Sequence, residues 1–97
     1  MDNEELFWDI AEELICPGVE EGTMMGSRCL RSGGKFAAML DRSGGLIVKL
    51  TKDRVSGLID EGVGQPFAPA GKVFSEWVLI PDPDEGRWSA LMGEAVA

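Results

Sequence analysis

The chain has 97 residues, 17 acidic and nine basic, so its formal net charge is −8. This length supports one hydrophobic core and therefore a single domain, residues 1–97. A hydrophobic share of 44% argues against a disordered chain, and no apolar run approaches the length of a membrane-spanning helix. The net charge belongs entirely to the first 22 residues, which hold eight acids and no base, whereas the remainder holds nine of each.

Cellular location and metal chemistry are also constrained by the composition. The acidic start, Met1 to Glu5, has no apolar stretch behind it and differs from a secretory signal, so we expect a cytoplasmic protein. Cys16 and Cys29 are the only cysteines and histidine is absent, which leaves no plausible zinc ligand set. We expect reduced, mostly packed thiols, no metal and no cofactor.

The first element is an acidic amphipathic helix. Asp2 and Glu5 have the spacing of a capping box, and apolar residues then recur on one stripe: Leu6, Phe7, Ile10, Ala11 and Leu14. Pro17-Gly18 is predicted to end the helix, and Val19 to Gly22 to act as a linker. The chain is thus divided into an acidic helix and linker, 1–22, and a sheet with two further helices, 23–97.

Three antiparallel strands are predicted next, because the turns between them are short and rich in glycine. Their predicted ranges are Thr23 to Arg31 with a bulge or close approach at Gly26, Lys35 to Leu40, and Leu46 to Leu50. In the third strand Leu46, Val48 and Leu50 are expected to face the core.

A second helix is predicted from Lys52 to about Glu61, capped by Thr51 and stopped by Gly62. Gln65 to Gly71 then reads as a connection or a broken edge strand. Lys72 to Ile80 follows as the strongest strand, rich in β-branched and aromatic residues.

Both faces of this last strand are apolar, whereas helices readily cover only one side of a small antiparallel sheet. Either a third helix wraps round to the second face, or that face is a subunit contact. The residues predicted for such an interface are Phe74, Trp77, Val78 and Ile80.

A third helix is predicted to start at Asp82 as the N-cap, with Pro83 in the first helical position and Glu85 completing a capping box. Its buried stripe comprises Trp88, Leu91, Met92 and Ala95. The predicted order is helix, three strands, helix, one or two strands, helix, which is an α+β fold with an antiparallel sheet.

Several short motifs resemble the TfoX N-terminal-domain family over about residues 21 to 97. They are Met24-Met25-Gly26, Gly34 to Ala37, Gly45 to Leu50, Pro66-Phe67, Gly71-Lys72 and Trp77 to Pro81. The resemblance implies a secretion-chaperone-like α+β domain. Some family members carry a second domain and regulate natural competence. We do not expect that second domain in this chain, and the resemblance implies no catalytic residues.

No segment of the sequence carries a catalytic motif. Gly62 to Phe67 begins like a dinucleotide fingerprint, but the third glycine is missing and the segment follows a helix. The serines have no histidine to activate them. The acid pairs Asp82/Asp84 and Asp60/Glu61 are explained by helix ends, so we do not expect an enzyme.

Basic residues concentrate in the middle of the chain. Seven of the nine lie within 27 positions that contain only two acids: Arg28, Arg31, Lys35, Arg42, Lys49, Lys52 and Arg54. They could form a patch for an anion or an acidic partner, and in particular for DNA. Alternatively the acidic first helix neutralises this patch, within the chain or across a dimer.

We therefore expect a non-enzymatic protein-interaction domain, with a regulatory role open, whose partner is another protein or a second copy in a homodimer. The alternative is a DNA-associated transcriptional or competence-type regulator that uses residues 28–54, although the acidic total makes nucleic acid the less favoured partner. An enzyme of unknown type is the third hypothesis.

Overall fold

The residues that the structure describes form one six-stranded antiparallel sheet with three helices, and the predicted α+β class is confirmed. A computed structural model describes residues 2–24, 26–68 and 71–97. The spatial strand order is β1-β2-β3-β4-β6-β5. The elements are α1 Asn3–Leu14, β1 Val19–Met24, β2 Ser27–Ser32, β3 Lys35–Leu40, β4 Leu46–Lys49, α2 Lys52–Asp60, β5 Gln65–Pro66, β6 Trp77–Ile80 and α3 Glu85–Val96.

Each helix starts at a side chain that satisfies a free backbone N–H. The Asp2 carboxylate accepts from the Glu5 N–H at 2.7 Å and the Thr51 hydroxyl from the Arg54 N–H at 3.3 Å, so both predicted caps are confirmed. The third cap was predicted two residues too early: Asp84, not Asp82, accepts from the Arg87 N–H, at 2.9 Å. The carbonyl of Asp82 instead accepts from the indole N–H of Trp88 at 3.0 Å, which fixes the chain entering α3.

The first predicted strand is in fact a hairpin. Residues expected to be a linker form β1, which pairs along its whole length with β2, from Val19 opposite Ser32 to Met24 opposite Ser27. Gly26 has a φ of +78°, so it belongs to the turn between the strands and is not a bulge. The bulge occurs between β2 and β3, at Leu30/Arg31. Met25, inside the predicted strand, lies outside the described residues.

The last predicted strand is shorter than expected. β6 begins only at Trp77, because the residues before it turn: the Trp77 N–H donates to the Phe74 carbonyl at 3.1 Å. Gln65 and Pro66 form the short edge strand β5, as one of the two predictions for that segment proposed. Pro69 and Ala70 lie outside the described residues. The element order therefore has four strands before α2 and two after it.

All three helices pack on one side of the sheet, where the main core lies. Its sheet residues include Leu30, Leu46 and Val48, and its helix residues include Phe7 and Trp88, all fully buried. Gly64 packs closely against this core, because a Cβ there would come within 2.5 Å of the Val78 Cγ2 atom. In the Gly62-Val63-Gly64 segment, Gly62 therefore ends α2 with a positive φ, and Gly64 allows close packing against β6.

Candidate functional site

The side of the sheet opposite the helices, called the open face below, carries a second apolar cluster. Alternation along the strands sends every second side chain to this side. Four of them are buried there, Cys29, Phe36, Met39 and Ile47, and three partly buried side chains pack against them, Phe67, Trp77 and Leu79. The open face is therefore apolar, as the composition of the strands predicted.

A short segment before β6 folds back over the open face. This segment, residues 71–77, is called the strap; the Phe74 N–H donates to the Phe67 carbonyl at 3.0 Å and holds the strap to the end of β5. The Trp77 ring lies at the centre of a stack, with ring centroids 4.2 Å from Phe36, 5.4 Å from Phe67 and 5.1 Å from Phe74. The helix α3 packs on the other side of the sheet, so it does not wrap round to this face, and the chain's own strap covers the face in part.

The strap leaves apolar surface exposed. Val73 is 60% exposed, the most exposed large hydrophobic side chain in the described residues, while Phe74 and Trp77 are only partly buried. The Lys72 Nζ lies 5.9 Å from the Phe74 ring centroid, and Glu76, which is exposed, follows Phe74 by two residues and also lines a cavity with Lys35 and Lys49. The surface is thus an apolar centre accompanied by one cation and one acid.

Sequence reasoning identified half of this surface. Phe74 and Trp77 belong to it, but Val78 and Ile80 do not: both are fully buried on the helix side. The error came from extending one alternating pattern through the turn at 74–77, which breaks it. Val73 and Phe67 were missed as site residues; two phenylalanines on either side of a proline- and glycine-containing loop were the available signal.

The seven basic residues do not gather on one surface, and two of them are ion-paired. Arg28 Nε lies 2.6 Å from Glu21 Oε1, and its guanidinium stacks 4.1 Å from the Trp8 ring centroid. The hydrogen bond from Arg28 lowers the pKa of Glu21, and its acceptor Glu21 raises the pKa of Arg28, to which nearby Glu4 adds. Arg54 pairs with Glu94 of α3 at 3.1 Å. The two ion-pairing acids thus lie in β1 and α3, and α1 contributes to Arg28 only the Trp8 ring and the nearby Glu4.

The other five basic residues are dispersed. Lys35 and Lys49 line a cavity of about 350 Å³ together with Glu76 and Glu94, so acids already face these lysines. Arg42 is in the β3–β4 turn, where it lines a cavity with Met39 and Ile47 of the open face. Lys52 is exposed in the first turn of α2. A duplex-binding surface needs several cations side by side, and this arrangement does not favour one.

Arg31 is the one of the seven that has an unusual environment. Its side chain crosses β1 over Gly22, where a Cβ would come within 2.5 Å of the Arg31 Cδ atom. Its Nε atom is buried and has no hydrogen-bond partner among the described residues. A glycine in the middle of a strand signals such a close approach, but Gly22 was predicted to lie in a linker, so this signal was missed.

The two cysteines differ in accessibility. Cys16 is exposed, whereas Cys29 is fully buried, and burial raises the pKa of the Cys29 thiol although the charge of Arg31 opposes the shift. Both are free thiols.

We expect a thiol reagent to modify the native protein once, at Cys16, and to reach Cys29 only after denaturant is added. The thiolate is the reacting species, and Cys29 is both inaccessible and depleted of thiolate because its pKa is raised. Intact mass after labelling at pH 8, with the Cys16→Ser variant as control, measures this. Rapid labelling of that variant under native conditions would contradict the buried position of Cys29.

Within the described ranges, no group of three or more histidine, cysteine, aspartate or glutamate side chains is placed to hold a metal ion. Nor does any helix in that part of the chain have the length and apolarity to cross a membrane. Comparisons with known protein families, with curated proteins and with solved structures found no match. The resemblance to the TfoX N-terminal domain therefore stays a prediction.

Proposed function

We propose that this chain is a non-enzymatic, cytoplasmic protein-interaction domain that forms a homodimer through the strap on its open face. The observation that carries the proposal is the group of partly exposed, stacked rings around Trp77, next to the exposed Val73. Apolar patches of this kind on a small domain mark interaction sites more often than chance. The resemblance to the TfoX N-terminal domain, with its regulatory members and no catalytic residues, is consistent with this role.

The charge distribution favours a second copy at this face. Six of the eight acids responsible for the net charge are Asp2, at the cap of α1, and five residues within α1, which packs on the helix side. Two copies that meet through their open faces keep these acidic helices on the outside of the dimer, far from each other. A contact through the helix side would bring them together and would be opposed by their repulsion.

The strap is also electrostatically self-complementary. In a two-fold symmetric contact each patch meets its own copy, so a cation on one side of the centre faces the acid of the other copy. In the sequence Lys72 precedes Val73 and Phe74 and Glu76 follows them, and both charged side chains are exposed. A two-fold axis through this apolar centre would pair Lys72 of each copy with Glu76 of the other.

Sedimentation velocity over a range from low to high micromolar concentration tests the dimer directly. We expect the weight-average sedimentation coefficient to rise with concentration from that of one chain to that of two. The protein remaining a strict monomer at high micromolar concentration would refute the homodimer.

A charge-reversal cycle tests the location of the contact. We expect Lys72→Glu and Glu76→Lys each to weaken dimerisation about three- to tenfold, since each places like charges across the contact. The double variant restores opposite charges in the exchanged order and should recover most of the affinity. The matched control reverses a distant pair of exposed charges, Asp60→Lys and Arg87→Glu, and should leave dimerisation unchanged. Additive losses in the double variant would contradict the pairing of Lys72 with Glu76, and no loss in either single variant would place the contact elsewhere.

A further inference from the structure

The outer edge of β1 is the longest unpaired strand edge in the described part of the chain. β1 pairs with β2 on one side only, whereas β5 at the opposite edge has two residues, one of them a proline that lacks an N–H. At the start of β1, Cys16 folds back and exchanges both backbone hydrogen bonds with Val19, at 3.1 and 2.8 Å. One residue of the chain, Cys16, thus pairs with the outer edge of β1 at Val19, and the bridge extends no further along β1.

The positions of the free backbone groups follow from this bridge. In an antiparallel ladder successive residues point their N–H and C=O groups to alternate sides. Val19 points outward to Cys16, so Glu21 and Thr23 also point outward, while Glu20 and Gly22 bond to β2. Glu21 and Thr23 therefore present two N–H and two C=O groups to an incoming strand.

The charges around this edge define the partner. Two acids are on the strand itself, Glu20 and Glu21, and four more line a cavity of about 260 Å³ beside Trp8: Asp2, Glu4, Glu5 and Asp9. Two cations are nearby: Arg28, which also lines this cavity, is already paired with Glu21, and Arg31, opposite Glu20 in the register, extends over Gly22 on the open face. The six acids therefore still outnumber the cations at this edge. A second copy is a poor occupant, because β1 against β1 brings Glu20 and Glu21 of both chains together.

We propose that the β1 edge is a second docking site, which binds an extended basic segment of a partner protein by strand addition. The outward groups of Glu21 and Thr23 supply backbone hydrogen bonds, and the acids select lysine or arginine side chains in the added strand. This site and the strap are at opposite halves of the sheet, so the proposal does not depend on the homodimer.

The test uses a ten-residue peptide in which lysine alternates with valine and threonine, and a matched peptide with glutamate in place of each lysine. Amide hydrogen exchange followed by NMR reads out the site. We expect the lysine peptide to slow exchange of the Glu21 and Thr23 amides by about tenfold or more, since these become hydrogen-bonded in the complex. The Glu20 and Gly22 amides, already bonded to β2, serve as the internal control.

A charge variant tests the selection separately from the backbone bonds. Glu20→Lys should weaken binding of the lysine peptide about fivefold or more, whereas Glu61→Lys, an exposed acid after α2, should leave it unchanged. Both variants change only exposed side chains, so the fold is retained. Unchanged exchange at Glu21 and Thr23, or equal binding of the glutamate peptide, would overturn the proposal.

Discussion

Replacing Trp88 with alanine is expected to remove a large part of the stability of this protein. Trp88 is the largest fully buried side chain and lies where α3 meets the sheet, and its indole N–H donates to the Asp82 carbonyl. Truncation of a buried tryptophan costs about 3–5 kcal/mol, and domains of this size have only about 5–15 kcal/mol in total. Thermal unfolding followed by far-UV circular dichroism should show a midpoint lower by roughly 15 °C or more.

Two further variants separate the causes of this loss. Trp88→Phe keeps a ring in the core but removes the indole donor, and should cost less than Trp88→Ala by a clear margin. Ser89→Ala changes the next residue of α3, which is exposed, and should stay within about 0.5 kcal/mol of the parent protein. A loss for Trp88→Ala as small as that for Ser89→Ala would mean that α3 does not pack as described.

The helices could be predicted from local sequence, because their signals are local. Asp2 and Thr51 cap the helices that they were predicted to cap, since a short polar side chain three residues before a free N–H acts within one turn. Periodicity likewise identified the buried stripe of α3, Trp88, Leu91 and Met92. The error at Asp82 arose because aspartates stand on both sides of Pro83, and either could cap the helix. In the structure the Asp82 carbonyl accepts from the Trp88 indole, and Asp84 is the cap.

The strand β1 could not be predicted in the same way. Val19 is its only strongly apolar residue before Met24, and Glu20, Glu21 and Gly22 have low strand propensity. Its pairing with β2, including the ion pair from Glu21 to Arg28, supplies what propensity lacks. A strand that is stabilised mainly by its neighbour can be predicted from sequence only if the pairing register of the two strands is known.

The candidate site was half predictable for a related reason. The excess of apolar residues before Ile80 correctly indicated that something must cover the open face. The segment that covers the open face is held there by the contact of Trp77 with Phe36. These residues are far apart in the sequence and meet only after the sheet has formed. Local patterning therefore assigned Val78 and Ile80 to the surface, although both point into the helix-side core.

The substitution Val73→Glu is expected to abolish the dimer over the concentration range in which the parent protein forms it. Val73 is exposed in the single chain, so glutamate there should leave the free energy of unfolding nearly unchanged. In the dimer the new carboxylates would be buried near the two-fold axis, facing each other. An unpaired charge in an interface costs enough to raise the dissociation constant about a hundredfold or more.

Ile15→Glu is the matched control, because Ile15 is the second exposed large hydrophobic side chain among the described residues, at 45%, and lies after α1, away from the strap. Sedimentation velocity of both variants at the same concentrations should give a monomer for Val73→Glu and an unchanged dimer for Ile15→Glu. Loss of the dimer in Ile15→Glu alone would move the contact to the α1–β1 corner, where the acids of two copies would have to be accommodated. Loss of the dimer in both variants would indicate non-specific hydrophobic association. A specific contact at the strap should be sensitive to Val73→Glu and insensitive to Ile15→Glu.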